Sequence, residues 1–86
     1  MENLSEKPCE ESVETIISIL EEAIQSEVES EEKYLHGAKI ACDPTVRDFF
    51  ISLASMEHDH KEQLTKQLGE LRAQMKIVEE MNDMFS

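Results

Sequence analysis

The chain has 86 residues, of which 20 are acidic, 8 are basic and 3 are histidines, giving a formal net charge of −12. This length allows one small domain, and the negative charge argues against nucleic acid or an anionic membrane as a partner, because both attract basic surfaces. The sequence has no run of about 20 apolar residues, so it predicts no membrane span. The acidic first residues lack the apolar stretch of a signal peptide. We therefore expect a cytoplasmic protein.

The first segments in chain order are an acidic tail and a long helix. We predict a flexible N-terminal tail over residues 1–9 and a single helical domain over residues 10–86, with a first helix from about 10 to 41. Apolar residues recur every three or four positions in this helix and give way to carboxylates near its middle. The stripe consists of Val13, Ile16, Leu20, Ile24, Glu27, Glu31, Tyr34 or Leu35, and Ala38.

A turn and a second helix follow. Asp43 and Pro44 form a strong helix start, with Asp43 as N-cap and Pro44 at the first helical position. We predict the second helix from about 44 to 82, again with an apolar stripe that charged residues interrupt. This stripe consists of Val46, Phe50, Leu53, Glu57, His60, Leu64, Leu68, Leu71, Met75 and Val78.

The two interruptions lie at the same distance from the turn. Glu27 precedes Asp43 by 16 residues, whereas Glu57 and His60 follow it by 14 and 17. At a rise of 1.5 Å per residue, both sets lie about 21–26 Å from the turn of an antiparallel hairpin. The charged residues of the two helices should therefore face each other.

Burying a carboxylate without a partner costs several kcal/mol, so these positions need compensation. A solvent-facing kink or a salt bridge to a neighbouring lysine is one interpretation. A metal site is the other, because Glu-x-x-His places two ligands one turn apart on one face of a helix. Oxygen and imidazole donors suit iron or manganese, and no thiolate lies on either stripe. Cys9, Cys42, His36 and His58 lie off the stripes and are assigned no role.

A two-helix hairpin leaves both apolar stripes without a third layer. We therefore expect an all-α, antiparallel hairpin that dimerises into a four-helix bundle. A di-iron site in such a bundle takes a Glu from each of two helices and a Glu-x-x-His from each of the other two. One hairpin supplies half of that set, and a two-fold dimer supplies all of it.

The arrangement of Glu27, Glu29, Tyr34, Asp43-Pro44 and Glu57-x-x-His60 resembles the encapsulated ferritins, the half-ferritin branch of the ferritin-like superfamily, and more distantly rubrerythrin. The resemblance implies a ferroxidase that binds two iron ions per dimer through Glu27, Glu57 and His60 as metal ligands and catalytic residues. It also implies a larger even-numbered ring of dimers and an encapsulin shell as partner and compartment.

The sequence leaves the roles of several residues, and the function, open. Tyr34 either hydrogen-bonds a carboxylate that binds the metal or is an ordinary buried aromatic. Glu29 matches a metal-entry position by resemblance. Glu31 lies on the stripe without matching a family ligand and is a second possible metal-entry residue. The last residues, MNDMFS, do not resemble a shell-docking peptide, which leaves iron storage in a shell and detoxification outside one as alternatives. A non-redox metal site, or a helical interaction module whose buried charges fix the register, remain alternative functions.

Overall fold

A computed structural model describes residues 12–85 and contains two helices packed against each other, α1 (Val13–Ile40) and α2 (Pro44–Phe85). The predicted all-α hairpin is confirmed, and the pairing of two hairpins stays a prediction. The predicted tail and the expected helix start at residue 10 lie outside the described residues. Within residues 12–85, neither helix has an apolar stretch long enough to cross a membrane.

Side-chain caps fix where both helices begin. Ser12 is extended and its Oγ accepts a hydrogen bond from the backbone N–H of Thr15 at 3.1 Å, so α1 starts at Val13. Asp43 Oδ1 accepts from the N–H groups of Thr45 and Val46 at 2.7 and 3.3 Å. The predicted Asp43 cap is therefore confirmed, and α2 starts at Pro44 as expected.

The helices end less symmetrically. Ile40 is the last residue of α1, and Ala41 turns into an extended conformation while its N–H still donates to the Gly37 carbonyl at 3.0 Å. Three residues then separate the helices, which is short enough to force an antiparallel arrangement. With 42 residues against 28, α2 runs on past the first turn of α1 and reaches Phe85, beyond the expected end near residue 82.

The closest packing between the helices lies near the turn. A Cβ on Gly37 would stand 3.1 Å from the Phe50 ring, which in turn stacks on Tyr34 with ring centroids 6.4 Å apart. Ala38 and Ala54 are buried beside this contact, so small residues allow the helices to approach. We call these five residues (Tyr34, Gly37, Ala38, Phe50, Ala54) the turn-end core.

The rest of the hairpin is thinly covered. Among the described residues, the buried hydrophobic side chains are Ala38, Ala54 and Leu68. Many larger apolar side chains remain exposed, including several positions of the predicted stripes. The exposed set is Val13, Ile16, Ile19, Leu35, Ile40, Val46, Phe49, Ile51, Met56, Ile77, Val78, Met81 and Met84. Two helices alone therefore do not enclose a core of normal size.

Candidate metal centre

The interrupted apolar stripes meet at mid-height of the hairpin. Glu27 of α1 and Glu57 of α2 are half-buried, and His60 lies at the edge of the contact with half of its side chain exposed. One donor atom from each of these side chains lies within 4.8 Å of the others. Within residues 12–85 they form the one group of three or more such side chains whose donors converge. We call Glu27, Glu57 and His60 the metal-ligand group.

Helix geometry explains why these three side chains converge. Glu57 and His60 are three residues apart on α2, so their side chains project from adjacent turns on one side of the helix. Glu27 faces them from α1 because the short turn sets the register between the helices. The distance-from-turn count made on the sequence predicts the same juxtaposition.

One carboxylate oxygen of the group lacks a hydrogen bond. Oε2 of Glu27 is buried and has no hydrogen-bond partner in the structure. The closest cationic candidate is Nδ1 of His60 at 3.8 Å, which is too far for a hydrogen bond. A buried acceptor without a donor is costly, so this oxygen is suited to a cation that the structure does not include.

The donor set fits a divalent cation of the harder kind. Two carboxylates and one imidazole are the ligand types that iron and manganese accept, whereas no sulfur donor is present in the group. Three donors that bind one ion at about 2.1 Å lie about 3 to 3.6 Å from one another, so donors that lie within 4.8 Å would move closer together on binding.

Glu31 lies one turn beyond Glu27 on α1 and is equally well buried, but its carboxylate is occupied. Lys61 Nζ donates to Oε1 at 3.4 Å, and His58 Nδ1 lies 3.3 Å from Oε2. His58 also contacts Glu62, with its Nε2 3.4 Å from Oε1. Glu31 thus forms a cross-helix ion pair in this structure, and a metal-entry role for it stays a prediction.

Two further predicted residues lie away from the metal-ligand group. Glu29 is exposed and accepts a hydrogen bond from Gln25 at 3.3 Å, so a metal-entry role stays a prediction. Tyr34 is half-buried and Leu35 is half-exposed, which assigns the stripe position to Tyr34. Tyr34 packs on Phe50 in the turn-end core. A hydrogen bond from Tyr34 to a carboxylate that binds the metal also stays a prediction.

The sequence reasoning missed Lys61 and His58 as partners of Glu31. Lys61 lies four residues after Glu57 and could have been placed on the same stripe by helical spacing. Helical spacing did not predict the contact of His58 with Glu31, because His58 lies off the α2 stripe. Its side chain is 49% exposed.

A groove opens beside the metal-ligand group. It is lined by Glu27, His60, Gln63, Leu64 and Gln67. It continues along the same side towards the open end of the hairpin, where the lining residues are Ile16, Leu20, Gln67, Glu70, Leu71 and Gln74. A last, mostly apolar stretch includes Val13, Leu71, Gln74, Met75 and Val78. The first two stretches share Gln67, and the last two share Leu71 and Gln74.

Comparison with known protein families identifies the fold. The family model described as rubrerythrin matches residues 18–85, which include α1 from residue 18 onward, all of α2 and the whole metal-ligand group. The chain belongs to the rubrerythrin family. No curated protein and no solved structure matches it.

Rubrerythrin-family membership implies a ferritin-like helical domain that binds iron. The residues present fit that metal, because the chain brings two carboxylates and an imidazole together and leaves a buried Glu27 oxygen without a partner. The number of ions, the branch of the family and the activity are matters for the proposal below.

Proposed function

We propose that the protein is a ferroxidase that oxidises Fe²⁺ to Fe³⁺ for iron storage or detoxification, as a member of the encapsulated-ferritin branch. Fe²⁺ is its substrate, and Glu27, Glu57 and His60 are the residues that bind it. The observation that carries the proposal is the buried, unpartnered Oε2 of Glu27, which lies beside the donor atoms of Glu57 and His60.

Charge balance supports a divalent substrate. Each hairpin offers two carboxylates in the metal-ligand group, and these balance the charge of one divalent cation. Two hairpins would then hold two such ions at an electrically neutral site, which removes the cost of burying four carboxylates. Anionic ligands also stabilise Fe³⁺ more than Fe²⁺ and so favour the loss of an electron.

The proposal includes a second copy of the chain. His60 is half-exposed and lines the groove beside Glu27, so its imidazole is accessible from the side on which the groove opens. A two-fold related hairpin lying over this groove would bring a second metal-ligand group close to the first. The many exposed apolar side chains supply surface for that contact. Assembly of dimers into an even-numbered ring, and an encapsulin shell around it, extend the proposal by resemblance.

The proposed reaction needs an external oxidant. Two Fe²⁺ ions each lose one electron, and dioxygen takes up both electrons with two protons to give hydrogen peroxide. With hydrogen peroxide as oxidant, the same two electrons and two protons give two water molecules. In this reaction Glu27, Glu57 and His60 bind and orient the iron.

An anaerobic titration with Fe²⁺, followed by air, tests this function. We expect uptake of two irons per dimer, seen by native mass measurement, and then a ferric absorbance with consumption of oxygen. A well-folded dimer that takes up no iron would refute the proposal. Uptake of Fe²⁺ or Zn²⁺ without oxygen consumption would instead indicate a non-redox metal site.

The two carboxylates of the metal-ligand group should be equally important. We expect Glu27→Ala and Glu57→Ala each to lower the affinity for Fe²⁺ by at least about 100-fold, because each removes one anionic ligand per hairpin. Isothermal titration under nitrogen measures the effect. Glu22→Ala is the matched control, since Glu22 is an exposed glutamate of the same helix with no predicted role at the metal. A near-silent Glu27 variant would shift the assignment towards Glu31.

His60 separates the enzyme from a helical interaction module. If the charged residues only fix the register of a dimer, His60→Gln should keep dimerisation and have no metal phenotype. For a ferroxidase, His60→Gln should abolish iron oxidation while the helical content and the dimer, measured by circular dichroism and light scattering, stay unchanged.

A further inference from the structure

Two carboxylates of α1 are about equally buried but differ in their contacts. The side chains of Glu27 and Glu31 are 21% and 19% exposed, and they lie one helical turn apart. Oε2 of Glu27 has no hydrogen bond, whereas both oxygens of Glu31 have a basic side chain within 3.4 Å. Helix position alone does not explain the difference, so its cause lies on α2.

Lys61 is that cause. It follows His60 in the chain, and the helical rotation of about 100° between neighbours places the two side chains on different flanks of α2. Lys61 is 27% exposed against 50% for His60, so the lysine lies deeper between the helices. Its ammonium group reaches Glu31 across the helix contact.

The surroundings of Lys61 contain the same donor types as the metal-ligand group. Glu31 and Glu62 offer carboxylates, and the imidazole of His58 lies within 3.4 Å of both. A free divalent cation would compete for these donors. Lys61 is covalently attached, so it pairs with Glu31 without the translational entropy loss that a free cation has on binding.

We propose that Lys61 is a specificity-determining residue, a tethered cation that occupies Glu31 and confines metal-ion binding to Glu27, Glu57 and His60. This inference rests on the proposed function, because it presumes that the metal-ligand group binds a cation. By holding Glu31 in an ion pair, Lys61 also keeps a third carboxylate from competing with Glu27 for the same ion. The site then retains the two carboxylates per hairpin that balance a divalent charge.

Co²⁺ binding in a Glu27→Gln background tests the role of Lys61. Glu27→Gln alone should lose tight Co²⁺ binding. Adding Lys61→Met removes the tethered charge and leaves an unbranched side chain one heavy atom shorter, and we expect Co²⁺ affinity to recover by about ten-fold or more over Glu27→Gln. The recovered ion should show visible absorption bands of bound cobalt, which a merely structural change would not produce.

Two controls identify the donors. Lys61→Arg in the same background retains the positive charge and should not recover Co²⁺ binding. Adding Glu31→Gln to the Glu27→Gln, Lys61→Met variant removes the released carboxylate and should abolish the gain. A gain that survives Glu31→Gln would overturn the proposal, because the ion would then lie elsewhere.

The possible failures are distinguishable. Wild-type protein that shows no Glu27-dependent Co²⁺ binding would refute the proposed function. Wild-type binding with no gain in the Lys61→Met variant would refute the role of Lys61 alone. Lys61→Gln serves as a second neutral variant, with circular dichroism as a check of folding. Loss of helix in both neutral variants would also overturn the inference, since Lys61 would then be required for folding.

Discussion

Different kinds of side chain lie between the two helices at the turn end of the hairpin and at its middle. In the turn-end core, the Phe50 ring lies so close to α1 that a Cβ on Gly37 would stand 3.1 Å from it. At mid-height, carboxylates and bases replace the apolar side chains, and a Glu27 oxygen is left without a partner. The difference suggests that the turn end provides stability and the middle provides chemistry.

Two neighbouring phenylalanines, Phe49 and Phe50, test whether the turn-end core provides stability. We expect the largest effect on stability here. Phe50 packs on Tyr34 and Gly37, so we expect Phe50→Ala to lower the free energy of unfolding by about 2 to 3 kcal/mol. Urea denaturation at a fixed chain concentration measures it. The metal-ligand group of the folded fraction should still bind Fe²⁺.

Phe49→Ala is the matched control, because Phe49 is 62% exposed in the hairpin. A change below about 0.5 kcal/mol is expected for such an exposed position. Equal losses at Phe49 and Phe50 would contradict the assignment of stability to the turn-end core. They would indicate instead that a second copy of the chain covers Phe49.

Replacing the two α1 carboxylates by methionine should have opposite effects on the metal-free protein. Glu27→Met removes a buried oxygen without a hydrogen bond, so we expect a gain of about 1 kcal/mol in the free energy of unfolding. Glu31→Met leaves Lys61 half-buried without its carboxylate and should cost about 1 kcal/mol.

Thermal and urea unfolding in the presence of a chelator measure both methionine variants. The signs, rather than the sizes, carry the test. If Glu27→Met destabilises the metal-free protein as much as Glu31→Met does, the Glu27 oxygen already has a partner in solution. The contrast between the two carboxylates would then be lost.

The helix caps should show the smallest effects. Asp43→Ala removes an oxygen that accepts from two backbone N–H groups, and we expect a loss of about 1 kcal/mol. Ser12→Ala removes one such bond at the open end and should cost about 0.5 kcal/mol or slightly more. Both are measurable by urea denaturation. A larger loss at Ser12 than at Asp43 would contradict the view that the turn end contributes more to stability.

Part of this architecture was predictable, for local reasons. The Asp43-Pro44 start signal and the apolar periodicity depend on near neighbours in the chain, so they predicted two helices, their turn and the facing of Glu27 with Glu57 and His60. The close approach of the helices was not predictable in this way. Gly37 and Gly69 look alike in sequence, yet a Cβ would meet Phe50 at Gly37 and nothing within 4 Å at Gly69.

The sequence by itself determined which side chains share a helix face and how far each lies from the turn, because helix rise and rotation are constant. Only the tertiary structure decided how the charged side chains divide between partners. Glu27 and Glu31 occupy equivalent stripe positions, and their difference arises because Lys61 and His58 of α2 reach one carboxylate and not the other. Such pairing depends on the rotation of one helix against its neighbour, which no count along a single helix contains.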